Sequence, residues 1–101
     1  MPKATKDRKY LGRDDLLTTA QRNAFSGFIK MRLQLNNYSL KSVADKLAVN
    51  QVTIGSVCYR RAGSRKIQSG LAQCCGFTSW EELIDAAYTA VPDVLKEGSN
   101  G

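Results

Sequence analysis

The stretch that decides the fold runs from residue 39 to residue 59 and reads SLKSVADKLAVNQVTIGSVCY. Val43 and Leu47 are four residues apart, so they would lie on one face of a first short helix. Ile54 and Val57 are three residues apart and would do the same on a second helix. The spacing predicts two short helices whose apolar faces meet across a tight turn.

The residues between these two predicted helices fit the turn of a helix-turn-helix. Ala44 is small where the helices would come closest, and Val49 would fill the space between them. Ser39 and Asn50 are suited to cap the first and the second helix. An ordinary αα-hairpin in a small helical bundle is the alternative interpretation of the same pattern.

The outward face of the second helix is the predicted site for reading DNA base edges. Gln51, at the start of this helix, can bond an adenine edge through two hydrogen bonds or orient a neighbouring side chain onto a phosphate. Val52 can pack on a thymine methyl group. The predicted base contacts are Asn50, Gln51, Val52, Thr53, Gly55 and Ser56.

The same stretch resembles the phage lambda repressor and Cro-like family of DNA-binding domains. The resemblance rests on the run SVADK at residues 42–46, with Gln51 and Gly55 further along the chain. It implies a five-helix, all-α bundle that binds double-stranded DNA as a homodimer on a palindromic operator, with residues 51–59 as the recognition helix in the major groove. The implied role is a transcriptional regulator of phage, prophage or plasmid type, acting as a repressor.

Ala48 departs from the family pattern, in which this turn usually carries glycine. A Cβ disfavours the left-handed backbone conformation, and alanine would lose about 1 kcal/mol by adopting it. If the left-handed turn is kept, Ala48 is therefore a point of local strain.

Charge is distributed unevenly along the chain of 101 residues, which has a net charge of +6. Residues 16–75 hold nine Lys or Arg and one acid, whereas residues 76–101 hold five acids and one Lys. A basic middle and an acidic C-terminal end suggest one surface that faces a polyanion and another that faces elsewhere. A solvated basic face kept for solubility is the alternative.

A helix before the motif is predicted from Thr18 and Gln21, which have the spacing of a capping box. Its apolar stripe ends at Leu33, and Met31 and Leu35 are expected to widen it. The predicted outward face carries Arg22, Lys30 and Arg32.

The segment that follows the motif, residues 59–66, is the densest basic cluster in the chain. Ser64 is placed to cap a fourth helix, and cations at a helix start oppose its dipole, so an external anion explains them better than folding does. The resemblance also implies that Arg22 contacts a phosphate. The alternative is that Arg22 is a solvated surface arginine. The predicted phosphate contacts are Arg22, Tyr59, Arg60, Arg61, Ser64, Arg65 and Lys66.

Two more helices are predicted after the basic segment. The fourth has Gly70 on its inward stripe, where it would make room for another helix, and Gly76 at its end. Ser79 and Glu82 suit a capping box for the fifth, which would end at Val91. In the family a C-terminal helix pairs with its twofold mate, which favours a dimer interface over simple completion of the core. The predicted interface residues are Trp80, Leu83, Ile84, Ala87 and Tyr88.

The domain is predicted to span residues 18–92, between a flexible basic arm at 1–17 and a disordered tail at 93–101. The arm would be attracted to DNA phosphates, or would be a tail without a role. Its cations are Lys3, Lys6, Arg8 and Lys9.

Other classes of protein find little support in the sequence. No apolar run reaches the length of a membrane span, so a cytoplasmic, nucleoid-associated protein is expected. The chain has three cysteines and no histidine, so we expect reduced thiols, no metal or other cofactor, no small-molecule substrate and no enzyme activity. An antitoxin-type autorepressor, or a basic helical module that binds RNA or protein, stays open.

Overall fold

The computed structural model describes residues 17–95, and this part of the chain is entirely helical, with no strand. Five helices of eight residues or more are followed by one short helix. They are α1 (Thr19–Leu35), α2 (Leu40–Leu47), α3 (Gln51–Cys58), α4 (Arg65–Cys74), α5 (Trp80–Ala90) and α6 (Pro92–Leu95). The predicted all-α class and the five helices are confirmed. The arm cations at residues 3–9 lie outside the described residues.

The helix starts are fixed by local side-chain hydrogen bonds at the predicted residues. Thr18 and Gln21 form the expected capping box, because the backbone N–H of each residue donates to the side chain of the other residue. Ser39 forms the same kind of box with Ser42. In α5 the carboxylate of Glu82 accepts from the backbone N–H of Thr78 rather than from that of the cap. The N-cap residues are Thr18, Ser39, Asn50, Ser64 and Ser79.

The core is built around α1, which packs against α3, α4, α5 and α6. Phe25 and Ile29 of this helix are fully buried, and Phe25 meets Tyr88 of α5 edge to face, with ring centroids 5.6 Å apart. The other fully buried large apolar side chains are Leu33, Val43, Ile54, Val57, Leu71, Leu83, Ile84 and Leu95.

Gly70 makes room for a neighbouring helix, as predicted. A Cβ built on it would lie 2.6 Å from the side chain of Leu47, the last residue of α2. Gly76 has φ +90°, a conformation that suits glycine after a helix end. The two glycines therefore have different uses, one for close helix packing and one for the backbone turn.

The predicted boundary of the tail is wrong at its first residues. Pro92–Leu95 forms α6, and the buried Leu95 accepts a hydrogen bond of 3.1 Å at its carbonyl from the side chain of Gln21. Leu17, assigned to the arm, packs against the core. Both ends of the domain therefore extend slightly beyond the predicted limits of 18 and 92, because apolar side chains there find room beside the core.

The stripe of α5 predicted as a dimer interface belongs to the core of the protomer. Trp80, Leu83, Ile84 and Ala87 are buried, and Tyr88 is half-buried against Phe25. The cause is that α5 lies against both α1 and α4, which cover this face. The structure therefore supports the alternative, in which the stripe completes the core.

Ala48 takes the left-handed conformation expected of the turn, with φ 57° and ψ 46°. We predict that Ala48→Gly raises the free energy of unfolding by up to about 1 kcal/mol, because the Cβ that disfavours this conformation is removed. Chemical denaturation measures the change. The matched control is Ala86→Gly within α5, which should lower stability by about 1 kcal/mol because glycine weakens a helix interior. Equal changes in the two variants would contradict the strain at Ala48.

Candidate nucleic-acid interface

The N-terminal end of α3 presents an exposed and uncharged face. Gln51, Val52 and Thr53 are all exposed, and Val52 reaches 76%. Asn50 caps the helix, since its Oδ1 accepts from the backbone N–H of Val52 at 2.7 Å. This face can therefore make apolar contacts through Val52 and hydrogen bonds through the amide of Gln51 and the hydroxyl of Thr53.

The later part of the predicted reading face is less accessible. Gly55 and Ser56 are half-buried, and the carbonyl oxygen of Ser56 accepts from the backbone N–H of Arg61 at 2.9 Å. The face of α3 is therefore most open at its first turn, at residues 50–53.

The structure contradicts the predicted phosphate contact of Arg60. Its side chain is 0% exposed, and its guanidinium lies 4.6 Å from the centroid of the Phe25 ring. The backbone at Arg60 is left-handed, with φ 57°, and this turn directs the side chain into the core instead of toward solvent. Of the two consecutive arginines after α3, Arg60 therefore packs in the core, whereas Arg61 is exposed.

Arg22 is half-buried and is held at the end of α3. Its Nη1 donates to the carbonyl oxygen of Tyr59 at 3.4 Å and to that of Arg60. These carbonyls belong to the C-terminal end of the helix, where a positive charge is favourable. These contacts give Arg22 a role in fixing α3 against α1, and its predicted phosphate contact stays a prediction.

The remaining cations of the basic segment are exposed. The guanidinium of Arg61 lies 5.0 Å from the centroid of the Tyr59 ring, and Arg65 and Lys66 begin α4. Ser64 uses its hydroxyl to cap this helix, accepting from the backbone N–H of Ile67 at 3.5 Å. The uncharged face of α3 is thus followed in the chain by three exposed cations.

Exposed acids of the described residues lie mainly on another helix. Glu81, Glu82 and Asp85 are on α5, and Asp45 of α2 pairs with Lys41 at 3.3 Å. The charge separation anticipated from the sequence therefore corresponds to different helices of the fold. An exposed ion pair of this kind contributes little to stability.

Arg32 was assigned to the outward face, and the structure corrects this too. Its Nε and Nη2 donate to the carbonyl oxygen of Cys75 at 3.3 and 3.2 Å, and its guanidinium lies 4.9 Å from the centroid of the Phe77 ring. Arg32 thus joins α1 to the end of α4, much as Arg22 joins α1 to the end of α3. Helical spacing alone gave no sign of either contact.

The cysteines are thiols in the core. Cys58, Cys74 and Cys75 are buried and free. Burial raises the pKa of Cys58 from 9.0 to about 12, and it likewise raises the pKa of Cys75 to about 12 and that of Cys74. Among the described residues, no cluster of three or more His, Cys, Asp or Glu side chains could hold a metal ion.

We predict that iodoacetamide labels these cysteines at pH 8 only as fast as the protein opens, because the thiolate is the nucleophile and burial disfavours it. Mass spectrometry in buffer and in denaturing urea measures the difference. As pH rises from about 9 toward 12, the unfolded chain releases thiol protons that the native state keeps, so stability should fall. Rapid labelling of Cys58 in the native protein would contradict this prediction.

Comparison of the chain with protein-family models, with curated proteins and with solved structures gives no match. Within residues 17–95, no helix has the length and apolar character needed to cross a membrane. Function must therefore be inferred from the geometry of the site.

Proposed function

We propose that the protein is a sequence-specific, double-stranded DNA-binding transcriptional regulator in which α2 and α3 act as a helix-turn-helix. The observation that carries the proposal is the open first turn of α3, where uncharged side chains at residues 51–53 are exposed. An uncharged face can approach base edges, whereas lysine and arginine beside it can bind the phosphates on either side.

In the proposed complex, α3 enters the major groove with its N-terminal end toward the bases. Gln51 donates to and accepts from one adenine, and Val52 packs on the methyl group of a thymine. Arg61, Arg65 and Lys66 bind phosphates and fix the helix in register. Occupation of an operator in this way would make the protein a repressor.

The fold offers rigid support for such a reading helix. Ile54, Val57 and Cys58 bury the inner side of α3, Asn50 caps its start, and Arg22 binds the carbonyl oxygens at its end. A helix held on three sides keeps its exposed side chains in fixed directions, which specific recognition requires.

The test is a binding competition after selection of bound fragments from the source genome. The selected duplex, a random duplex and an RNA of equal length compete for the protein at one fixed salt concentration. We expect the selected duplex to bind roughly 10³-fold more tightly than random DNA or more. Equal affinity for all three would exclude a specific regulator and favour a general module for nucleic acids.

The selected sequences also test the proposed assembly. A twofold pair of these motifs would select a palindrome whose half-sites lie about 34 Å apart, one turn of DNA. Regulation of the chain's own operon by such a site would be compatible with an autorepressor of the antitoxin type, for which a second, protein partner would be needed.

A further inference from the structure

Residues 50–58, which are α3 and its N-cap, contain no charged side chain. The exposed residues Gln51, Val52 and Thr53 present an amide, an aliphatic group and a hydroxyl group. In the major groove, lysine and arginine are the usual partners of guanine, and carboxylates accept from the amino group of cytosine. The side chains of α3 therefore suit adenine and thymine, and they include none of the charged groups that select a G·C pair.

Three arginines near α3 are held away from its first turn. Arg60 lies in the core over Phe25, and Arg22 donates to the carbonyl oxygens at the C-terminal end of the helix. Arg61 follows the same end, since its backbone N–H donates to the carbonyl oxygen of Ser56. A helix of this length is about 12 Å long, so Arg61 begins roughly three base-pair steps from the bases under the first turn.

The charged side chains of α2 face a different part of the proposed complex. In a helix-turn-helix the first helix crosses the DNA backbone, so the exposed Lys41 and Lys46 would meet phosphates. The acid of this helix, Asp45, pairs with Lys41 at 3.3 Å. Bases under the first turn of α3 are therefore left to the uncharged groups of α3 itself.

Val52 is placed and held as an apolar contact for DNA. Its side chain is 76% exposed, and its backbone N–H donates to Oδ1 of the cap residue Asn50 at 2.7 Å. Valine has one strongly preferred rotamer in a helix, so the two methyl groups keep a fixed direction. Val52 buries little apolar surface in the protomer, and β-branching lowers its helix propensity. A contact outside the protomer gives this residue a use.

The residues one turn after Val52 are small and leave it open. Gly55 and Ser56 are three and four positions further along, and a Cβ built on Gly55 has no atom within 4 Å. Helical side chains lean toward the N-terminus, so a large side chain at either position would cover the methyl groups of Val52. The two small residues thus keep Val52 free for contact with a base.

We propose that Val52 determines base specificity by reading the C5 methyl group of thymine, and that the base pairs under the first turn of α3 are A·T pairs. A G·C pair has no methyl group there and places the amino group of cytosine in the major groove. Val52 would desolvate this amino group without accepting a hydrogen bond from it, which disfavours the wrong pair. The inference rests on the proposed function and names the class of operator half-site that this function requires.

Uracil in place of thymine tests the contact at a single methyl group. Each thymine in one half-site of the selected duplex is replaced in turn, and affinity is measured by competition at one fixed salt concentration. We expect one of these uracils to lower the affinity of the wild-type protein about fourfold, the effect of one buried methyl group. The Val52→Ala protein should bind that thymine duplex and its uracil counterpart equally.

Thr53→Ala is the matched control, because Thr53 is exposed on the same turn and also carries a methyl group. This variant should keep the preference for thymine over uracil. A preference that Thr53→Ala removes and Val52→Ala keeps would overturn the assignment to Val52. Circular dichroism checks that both variants are folded, which is expected because neither side chain is buried.

5-Methylcytosine separates the methyl group from the base pair that carries it. Its methyl group occupies the same place in the major groove as that of thymine. At the position sensitive to uracil, a pair of 5-methylcytosine with guanine should bind the wild-type protein about fourfold more tightly than a cytosine–guanine pair. Val52→Ala should not distinguish the two pairs. Equal binding of both pairs by the wild-type protein would contradict the methyl contact.

These outcomes are distinguishable from failure of the proposed function. A protein that binds the selected duplex no more tightly than random DNA or RNA would overturn both the function and the inference. Specific binding that no uracil weakens would overturn the inference alone. So would selected half-sites in which the pairs whose specificity is relaxed by Gln51→Ala and Val52→Ala are G·C pairs.

Discussion

Replacing Gln51 with alanine is expected to lower the affinity for the selected operator by about 1 to 3 kcal/mol, and to leave binding to random DNA nearly unchanged. Gln51 is exposed at the first turn of α3, and its amide group can both donate to and accept from an adenine edge. Loss of this group should relax specificity at one base pair of each half-site. Repeated selection with the variant, followed by titration of single-base changes, measures both effects.

The comparison variant for Gln51 is Arg61→Ala. Arg61 is exposed in the basic segment, so its loss should weaken operator and random DNA alike and reduce the slope of log affinity against log salt by about one. Neither change removes a buried side chain, so the folded state should be unaffected. If Gln51→Ala weakens both kinds of DNA to the same extent, α3 is not the element that reads bases.

Replacing Arg60 with alanine is expected to lower the free energy of unfolding by about 2 kcal/mol or more. Its guanidinium is fully buried and lies over the Phe25 ring, and a desolvated contact of this type contributes about 2 kcal/mol. The aliphatic part of the side chain is also packed, so its loss leaves a cavity. Urea denaturation measures the change in the free energy of unfolding.

Arg60→Gly separates the side chain from the backbone at the same position. Arg60 has φ 57°, so glycine should be about 1 kcal/mol more stable there than alanine, although both lose the contact with Phe25. Arg61→Ala is the matched surface control and should leave stability within about 0.5 kcal/mol. A destabilisation at Arg61 as large as that at Arg60 would show that the two arginines do not differ in the way described.

Much of the candidate site could be predicted because it depends on neighbours in the chain. Asn50 caps α3 through a hydrogen bond to a residue two positions away, and the open face at residues 51–53 follows from the burial of Ile54 and Val57 on the other side. The resemblance implied a left-handed turn at Ala48, and the structure has it. None of these features needs a distant part of the protein.

The two arginines that support the site could not be predicted in the same way. Arg22 and Arg60 have the residue type of a phosphate contact, and their sequence neighbours give no sign that they turn inward. Their positions depend on contacts between α1 and the end of α3, which lie about 40 residues apart in the chain. A buried arginine over an aromatic ring is recognised only when both partners have been placed.

The sequence by itself determined where the five longer helices begin and end and which residues share a helical face, because capping and periodicity act over three or four residues. Only the tertiary structure decided which faces are covered. It buried the stripe of α5 between α1 and α4 and left Met31 and Leu35 of α1 exposed, although all of these residues are apolar at helical spacing. The reason is that a domain of this size has one core, and long-range packing selects the apolar faces that enter it.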